Sequence, residues 1–333
     1  PTWSNIQNPL AMGGNLYFTA SDGVHGTEVW QSDGTVQGTK ILKDIHPTGS
    51  SYARNLAVVG SRLFFAANDG TTGVELWSSD GTATGTQLVK DLRVGSAGSS
   101  PQFITALAGK AFFAANDAVS GKELWVSDGT AAGTSMVADI RPGAASSNPA
   151  QFCILGGKLY FSANDGSSGA ELWTSDGTSL GTVRVADIRA GSPSSSPTFI
   201  TACGTRVFFR ANDGANGTEL WSSDGTAAGT AMVLNIRAGA ASSSPNKLAY
   251  ASGLLYFQAN DGTTGVEPWR SDGTAAGTFR LGDLNPGTAS SGASDFLPTP
   301  AGVVFIATDL TAGKELWRTN GTVAGTARLV DIW

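Results

Sequence analysis

A block of about 48 residues is written seven times along this chain, and that periodicity constrains the possible folds more than any other feature. Its signature reads A-N-D-G-x-x-G-x-E-L-W-x-S-D-G-T-x-x-G-T-x-x-V-x-D-I-R. The signature tryptophans are Trp30, Trp77, Trp125, Trp173, Trp221, Trp269 and Trp317, with 47 residues in the first interval and 48 in each of the next five. One such unit cannot bury its own apolar face, so neighbouring units must cover it. Seven near-identical units of this length predict a closed ring.

A single unit shows what each block builds. Residues 152–155 (FCIL) form a short apolar run ended by Gly156-Gly157. Residues 158–164 (KLYFSAN) have the aromatic and aliphatic content of a strand. Asp165-Gly166-Ser167-Ser168-Gly169 is turn chemistry, because Asp and Gly tolerate the positive φ such turns need. Residues 170–174 (AELWT) read as a third strand and 182–188 (TVRVADI) as a fourth. The Ser175-Asp176-Gly177-Thr178 turn lies between them. A Gly/Ser/Pro-rich loop then leads into the next unit. Helical periodicity is absent throughout.

The predicted fold is all-β: a seven-bladed β-propeller with four antiparallel strands per blade. It is expected to be one domain over 1–333, with blades near 1–48, 49–98, 99–146, 147–194, 195–242, 243–290 and 291–333. An open β-solenoid is the competitor, but it would not need two Asp-Gly turns per unit. The two termini match the first and last strands of a unit, which favours closure. Trp3 and Trp333, the only tryptophans outside the signature, are expected to pack near the seam, unless both are loosely ordered ends.

The signature resembles that of the ELWxxDGT-repeat proteins. The matching segments are GTEVWQSDGT at 26–35, GVELWSSDGT at 73–82, GKELWVSDGT at 121–130, GAELWTSDGT at 169–178, GTELWSSDGT at 217–226 and GVEPWRSDGT at 265–274. GKELWRTNGT at 313–322 is a weaker copy. The resemblance implies a propeller-like, mostly bacterial protein that is secreted or held at the cell surface. It implies little about ligand or activity. The departures are Val29 and Pro268 for Leu, and Asn320 for Asp. Pro268 lacks a backbone donor, which predicts a bulge or edge in blade six.

Charged residues make up only 14% of the chain and the net charge is −6, which argues against a nucleic-acid partner. No apolar run approaches the length of a membrane span. No signal peptide is visible, and a chain that begins at Pro1 fits a processed or trimmed product. Cys153 and Cys203 occupy non-equivalent repeat positions, which excludes a disulfide framework and a cysteine-based metal site. Both are expected to be buried free thiols.

The acidic residues weigh against catalysis. Of 27, all but Asp295 fall in four repeated positions. His25 and His46 are the only histidines, and both read as loop residues. An enzyme on this scaffold would need unique acids, bases or ligands, so a non-enzymatic protein is expected. The turn aspartates are expected to accept hydrogen bonds from nearby backbone N–H groups. The glutamates before Leu-Trp are expected to satisfy a backbone donor or an arginine between blades. No cofactor is expected. Calcium is the rival reading of the Asp-Gly turns, although a single carboxylate per turn makes a weak site. The signature tryptophans read as packing wedges between blades, with sugar-stacking platforms as the rival.

In an up-and-down blade alternate loops share a face. The Asn-Asp-Gly turn should therefore lie beside the Arg-x-Gly-x-x-Ser-Ser-x-Pro loop that joins successive blades. Units two to five carry both groups: Asp69 with Arg93, Asp117 with Arg141, Asp165 with Arg189, and Asp213 with Arg237. Each arginine could meet the aspartate of its own blade or of a neighbour. These eight residues are the candidate ligand-binding set, giving up to four weak sites for a hydroxyl-rich ligand, with simple Arg–Asp loop ties as the alternative. The predicted function is a lectin-like extracellular recognition module that binds a carbohydrate or glycoconjugate surface through repeated weak sites. The alternatives are an adhesion scaffold for protein partners or, less favoured, a glycan-degrading enzyme.

Overall fold

In the computed structural model, which describes residues 4–332, every repeat becomes one four-stranded antiparallel sheet. The seven sheets each take their strands consecutively from the chain, so the protein is an all-β, seven-bladed β-propeller. No helix occurs among the described residues. Trp3 and Trp333 lie outside them. The chain divides into two compact units, one formed mainly by the residues up to Phe152 and the other mainly by those from Val183 onward.

Blade four shows how closely local chemistry sets the strands. They run Ala150–Leu155, Lys158–Asn164, Ala170–Ser175 and Val183–Ala186. The fourth is shorter than its apolar pattern predicts. The reason is that the Ile188 N–H leaves the ladder and donates to Glu171 Oε2 at 3.0 Å. In blade six, Pro268 does not break the third strand, Val266–Ser271, and its register with Leu254–Asn260 is continuous. Its carbonyl still accepts the Leu281 N–H at 2.8 Å. The bulge expected there is therefore absent from that pairing.

The second strand of each blade is apolar without alternation because both its faces are covered. In blade two, Leu63, Phe65 and Ala67 pack with Tyr17, Val29, Leu42 and Ile45 of blade one. Phe64 and Leu76 turn the other way, toward Ala111, Phe113 and Trp125 of blade three. In the second unit, Val207, Phe209 and Ala211 meet Tyr160, Leu172 and Val185 of blade four. Phe208 and Leu220 meet Leu255, Phe257 and Trp269 of blade six. Trp77, Trp125, Trp173, Trp269 and Trp317 are at most 8% exposed, while Trp30 and Trp221 are half-buried. Trp77, Trp125, Trp269 and Trp317 are wedges in such clusters rather than open stacking platforms, and Trp221 packs against one from its edge.

The first strand is irregular in its pairing with the second in blades one, two, three, five, six and seven. In blade five Thr198 pairs with Arg210 and Thr201 with Phe208, so the intervening residues bulge. The bulge residue is left-handed and not glycine in all seven blades: Asn8, Asn55, Phe103, Gln151, Phe199, Lys247 and Asp295, with φ between 53° and 62°. Asp295, the one acid outside the repeated positions, is thus a bulge residue of blade seven.

Because Trp125 fills the space between blades two and three, Trp125→Ala should cost about 3–5 kcal/mol, as for other buried aromatics. Equilibrium denaturation measures this, and an unchanged midpoint would show that the indole is not a wedge.

Candidate functional site

The loops joining blades are held from below by the repeated glutamates, which are fully buried in blades one to six. Glu219 accepts the Ile236 N–H at 3.0 Å, the Ser243 N–H at 2.8 Å and the Ser243 hydroxyl. Glu123 does the same with Ile140 and Ser147, and Glu171 with Ile188 and Ser195. In each case one carboxylate fixes both ends of the loop that leads to the next blade. Of the two roles expected for these residues, the structure selects the backbone-donor one.

The Ser-Asp-Gly-Thr-x-x-Gly-Thr segment closes on itself. In blade three Asp128 Oδ1 accepts the Thr130 N–H and hydroxyl at 2.9 and 2.7 Å, and the Thr130 hydroxyl oxygen accepts the Gly133 N–H at 2.9 Å. A Cβ on Gly133 would stand 2.1 Å from Asp128, which explains the second glycine of the motif. Asn320 makes the same contacts in blade seven, since only a carbonyl-type oxygen is needed.

The Asn-Asp-Gly turn and the interblade loop do share a face. The Asn212 N–H donates to the Ser195 carbonyl, and the Asn116 N–H to that of Ser99, at 2.9 and 3.0 Å. The carboxylates and guanidiniums of the candidate set nevertheless point to different partners. Asp69 Oδ1 accepts the N–H groups of Thr71 and Thr72, both at 2.8 Å. Asp117 accepts those of Val119 and Ser120, and Asp213 those of Ala215 and Asn216. Asp165 holds the same place in its turn and is also engaged. The arginines reach forward to the next blade. A Cβ on Gly166, Gly214 or Gly262 would lie 3.0–3.1 Å from Nε of Arg141, Arg189 or Arg237 respectively. Arg93 is half-buried, and its backbone N–H donates to Glu75. In blade three Ala118, at φ 69°, replaces the turn glycine. Ion pairs to first-turn aspartates come instead from fourth-strand arginines, Arg280 to Asp261 at 3.0 Å and Arg328 to Asp309 at 3.1 Å. Among the described residues, the loop arginines are not ion-paired ties.

One loop arginine opens onto a polar pocket. A cavity of about 330 Å³ in blade five is lined by Arg189, Thr198, Arg210, Asn212, Thr218 and Ser244, among others. Blade one has an equivalent cavity of about 460 Å³, with Gln7, Thr19, Thr27 and Tyr52 in place of Thr198, Arg210, Thr218 and Ser244. Arg210 escaped the sequence reading because it sits in an otherwise apolar strand. The signal available was its departure from Ala66, Ala114 and Ser162 at the matching place.

His25 Nδ1 lies 2.7 Å from Asp22 Oδ2 within one turn. His46 takes the arginine place and packs on Gly70 of the next blade. Cys153 and Cys203 are free thiols, half-buried rather than buried, and burial pushes Cys203 up to about 11.

Neither a family model nor a curated protein matches the chain. Among solved structures it is similar to oligopeptidase B from Leishmania major, at 10% identity and a TM-score of 0.56 over 99% of this chain and 49% of that one. It is also similar to a prolyl endopeptidase, at 12% identity and a TM-score of 0.53 over 98% and 49%. The β-propeller domain of the trilobed protease from Pyrococcus furiosus aligns over 99% of both chains, at 10% identity and a TM-score of 0.48. The chain thus spans about half the length of the oligopeptidase and endopeptidase chains. At these identities the likeness concerns the fold alone.

Two outcomes follow from the local chemistry. Burial pushes the carboxyls of Glu28, Glu75, Glu123, Glu171, Glu219 and Glu267 above the ordinary glutamate value of 4.5, against the opposing pull of their hydrogen bonds. Such raised values stabilise the fold at low pH, and that contribution is lost as pH rises through them. Threonine hydroxyls and N–H groups hold Asp33, Asp80, Asp128 and Asp224 below the ordinary 3.8. At Asp261 burial opposes the turn's hydrogen bonds, which win and bring it to about 2. The aspartate contribution is present above 3.8 and is lost as pH falls. The melting temperature should therefore peak in mild acid, between the two sets, and decline toward neutral pH. A monotonic rise up to neutrality would contradict the glutamate assignment. Separately, Asp128→Asn, which keeps the acceptor and loses the charge, should lower the melting temperature less than Asp128→Ala, which loses both.

Proposed function

We propose that the protein is a non-enzymatic recognition module whose polar pockets take hydroxyl-rich ligands, in the manner of a lectin. The observation that carries this reading is the blade-five pocket, where Thr198, Thr218 and Ser244 surround Arg189 and Asn212. Hydroxyl and amide groups converging on a shallow cavity suit a polyol, and a cavity at the low end of ligand-pocket volumes implies weak single-site binding. The equivalent cavity of blade one lets the architecture recur with different lining residues, so that binding to a dense surface gains by avidity. The partner is a carbohydrate or glycoconjugate, and an extracellular or cell-surface setting in a bacterium fits that use. The absence of an ion pair at the loop arginines leaves their donors available for a ligand.

The test is binding of the protein, displayed at high density, to a panel of immobilised glycans. Arg189→Ala and Thr218→Val should each reduce avidity several-fold with little change in melting temperature. Undiminished binding by both variants would place recognition elsewhere, and failure to bind any glycan would favour a scaffold for protein partners.

A further inference from the structure

Resting on that reading, we propose that the blade-five pocket is specific for an acidic sugar, holding its carboxylate between Arg189 and Arg210. The place of Arg210 in the repeat is filled by Thr19, Ala66, Ala114, Ser162, Gln258 and Ile306 in the other blades. Only blade five therefore adds a second guanidinium beside the loop arginine.

Both guanidiniums are fixed in position. Arg210 stands across the strand pair from Thr198, and its Nε donates to the Thr198 hydroxyl oxygen at 2.7 Å. Its guanidinium lies 4.6 Å from the ring centroid of Phe199, the left-handed bulge residue. Arg189 is wedged against Gly214, and its Nη1 reaches the Ser194 carbonyl at 3.5 Å. The terminal nitrogens of Arg210 meet no protein acceptor among the described residues.

No nearby carboxylate neutralises the pair. Glu171 lies behind Ser195 and takes its N–H and hydroxyl. Asp213 is turned into its own turn by Ala215 and Asn216. None of the residues lining the pocket is acidic. Two half-buried cations without a counter-ion carry an uncompensated desolvation cost, which a ligand anion would remove. Burial also lowers the proton affinity of Arg210, consistent with a partly desolvated cation.

The remaining lining groups select the kind of anion. The planar forks of two arginines match a carboxylate or an inorganic oxyanion equally. The hydroxyls of Ser196, Thr218 and Ser244 add acceptors as well as donors, which a fully deprotonated oxyanion leaves unused and sugar hydroxyls satisfy. A cavity of about 330 Å³ suits one small polar ring and little more. In the blade-one pocket Thr19 stands where Arg210 does, and a single guanidinium, that of Arg54 from the first strand of blade two, lines it among the described residues.

The experiment is calorimetric titration of the whole chain with a galacturonate oligomer and with its methyl ester, which keeps the hydroxyls and removes the charge. The acid should bind about tenfold or more tightly than the ester, the weight of one or two charge-assisted contacts. In Thr198→Asn/Arg210→Gln, which copies the Asn246–Gln258 pair already present in blade six, that ratio should collapse toward one. Arg189→Lys, which keeps the charge and loses the fork, should reduce it in part. Melting temperatures of the variants verify that each remains folded. Equal binding of acid and ester would overturn the inference while leaving hydroxyl recognition intact. An acid preference that survives the double variant would also overturn it. Inorganic phosphate displacing the oligomer at equal concentration would reassign the pocket to free oxyanions. Comparable binding of a glutamate-rich peptide would reassign it to an acidic protein partner.

Discussion

The structure depends on a buried carboxylate in each blade. In blades one to six a glutamate one residue before Leu-Trp (Val29 or Pro268 stands for the Leu in two blades) lies in the interior among backbone N–H groups and a serine of the loop that follows, and in blade seven Glu315 accepts the Ile332 N–H. Because the donors come from both ends of that loop, the contact sets where the next blade begins. Leaving such donors without an acceptor in the interior is costly, so the loop has little freedom to adopt another path. The serine has a second role: the Ser195 hydroxyl also faces the Ala170 carbonyl at 3.4 Å, and Ser51 faces that of Thr27 at 3.1 Å. A protonated glutamate can therefore donate to the serine while the serine donates onward. The contact thus suits the raised proton affinity that burial gives these groups.

Around that fixed point the repeat is built from turns that satisfy their own polar groups. Aspartates of both turns accept N–H groups two or three residues ahead, which explains why they recur without forming a shared acidic site. Tryptophans and second-strand phenylalanines then pack between blades, as Phe113 and Trp125 do against blade two and Phe257 and Trp269 against blade five, so these repeated groups serve the core. The positions that differ from blade to blade are the bulge residues of the first strands and the second-strand residue opposite them, and in blade five these lie beside the repeated loop arginine.

Blade five departs from its neighbours at that point. Arg210 would be costly in a second strand sealed on both faces, yet it lies opposite the bulge, where the strand pair opens onto the polar pocket. Phe199, left-handed and 40% exposed, supports the guanidinium, and Thr198 accepts its Nε–H. A substitution that would disturb a buried strand is accommodated here because the irregular register provides both room and hydrogen-bond partners.

What the amino-acid sequence determined by itself was the skeleton of the repeated unit. The strands, the two Asp-Gly turns, the tryptophan wedges and the structural use of the aspartates each follow from residue chemistry repeated in equivalent surroundings. Val183–Ala186 ended earlier than its apolar pattern implied because a glutamate in the preceding strand draws off the Ile188 N–H, a partner that local pattern does not reveal. The pairing of Asp165 with Arg189, and its counterparts, was posed by the motif without an answer. The tertiary structure decided that the aspartates close their own turns and that Arg141, Arg189 and Arg237 pack against the turn glycine of the blade ahead. It also placed Arg189 and Arg210 on the wall of one cavity, an arrangement that depends on the path of the interblade loop and on the bulge at Phe199. Periodicity reports what equivalent environments share, whereas a site formed by unequal residues exists only once the packing of one blade on the next has set their distances.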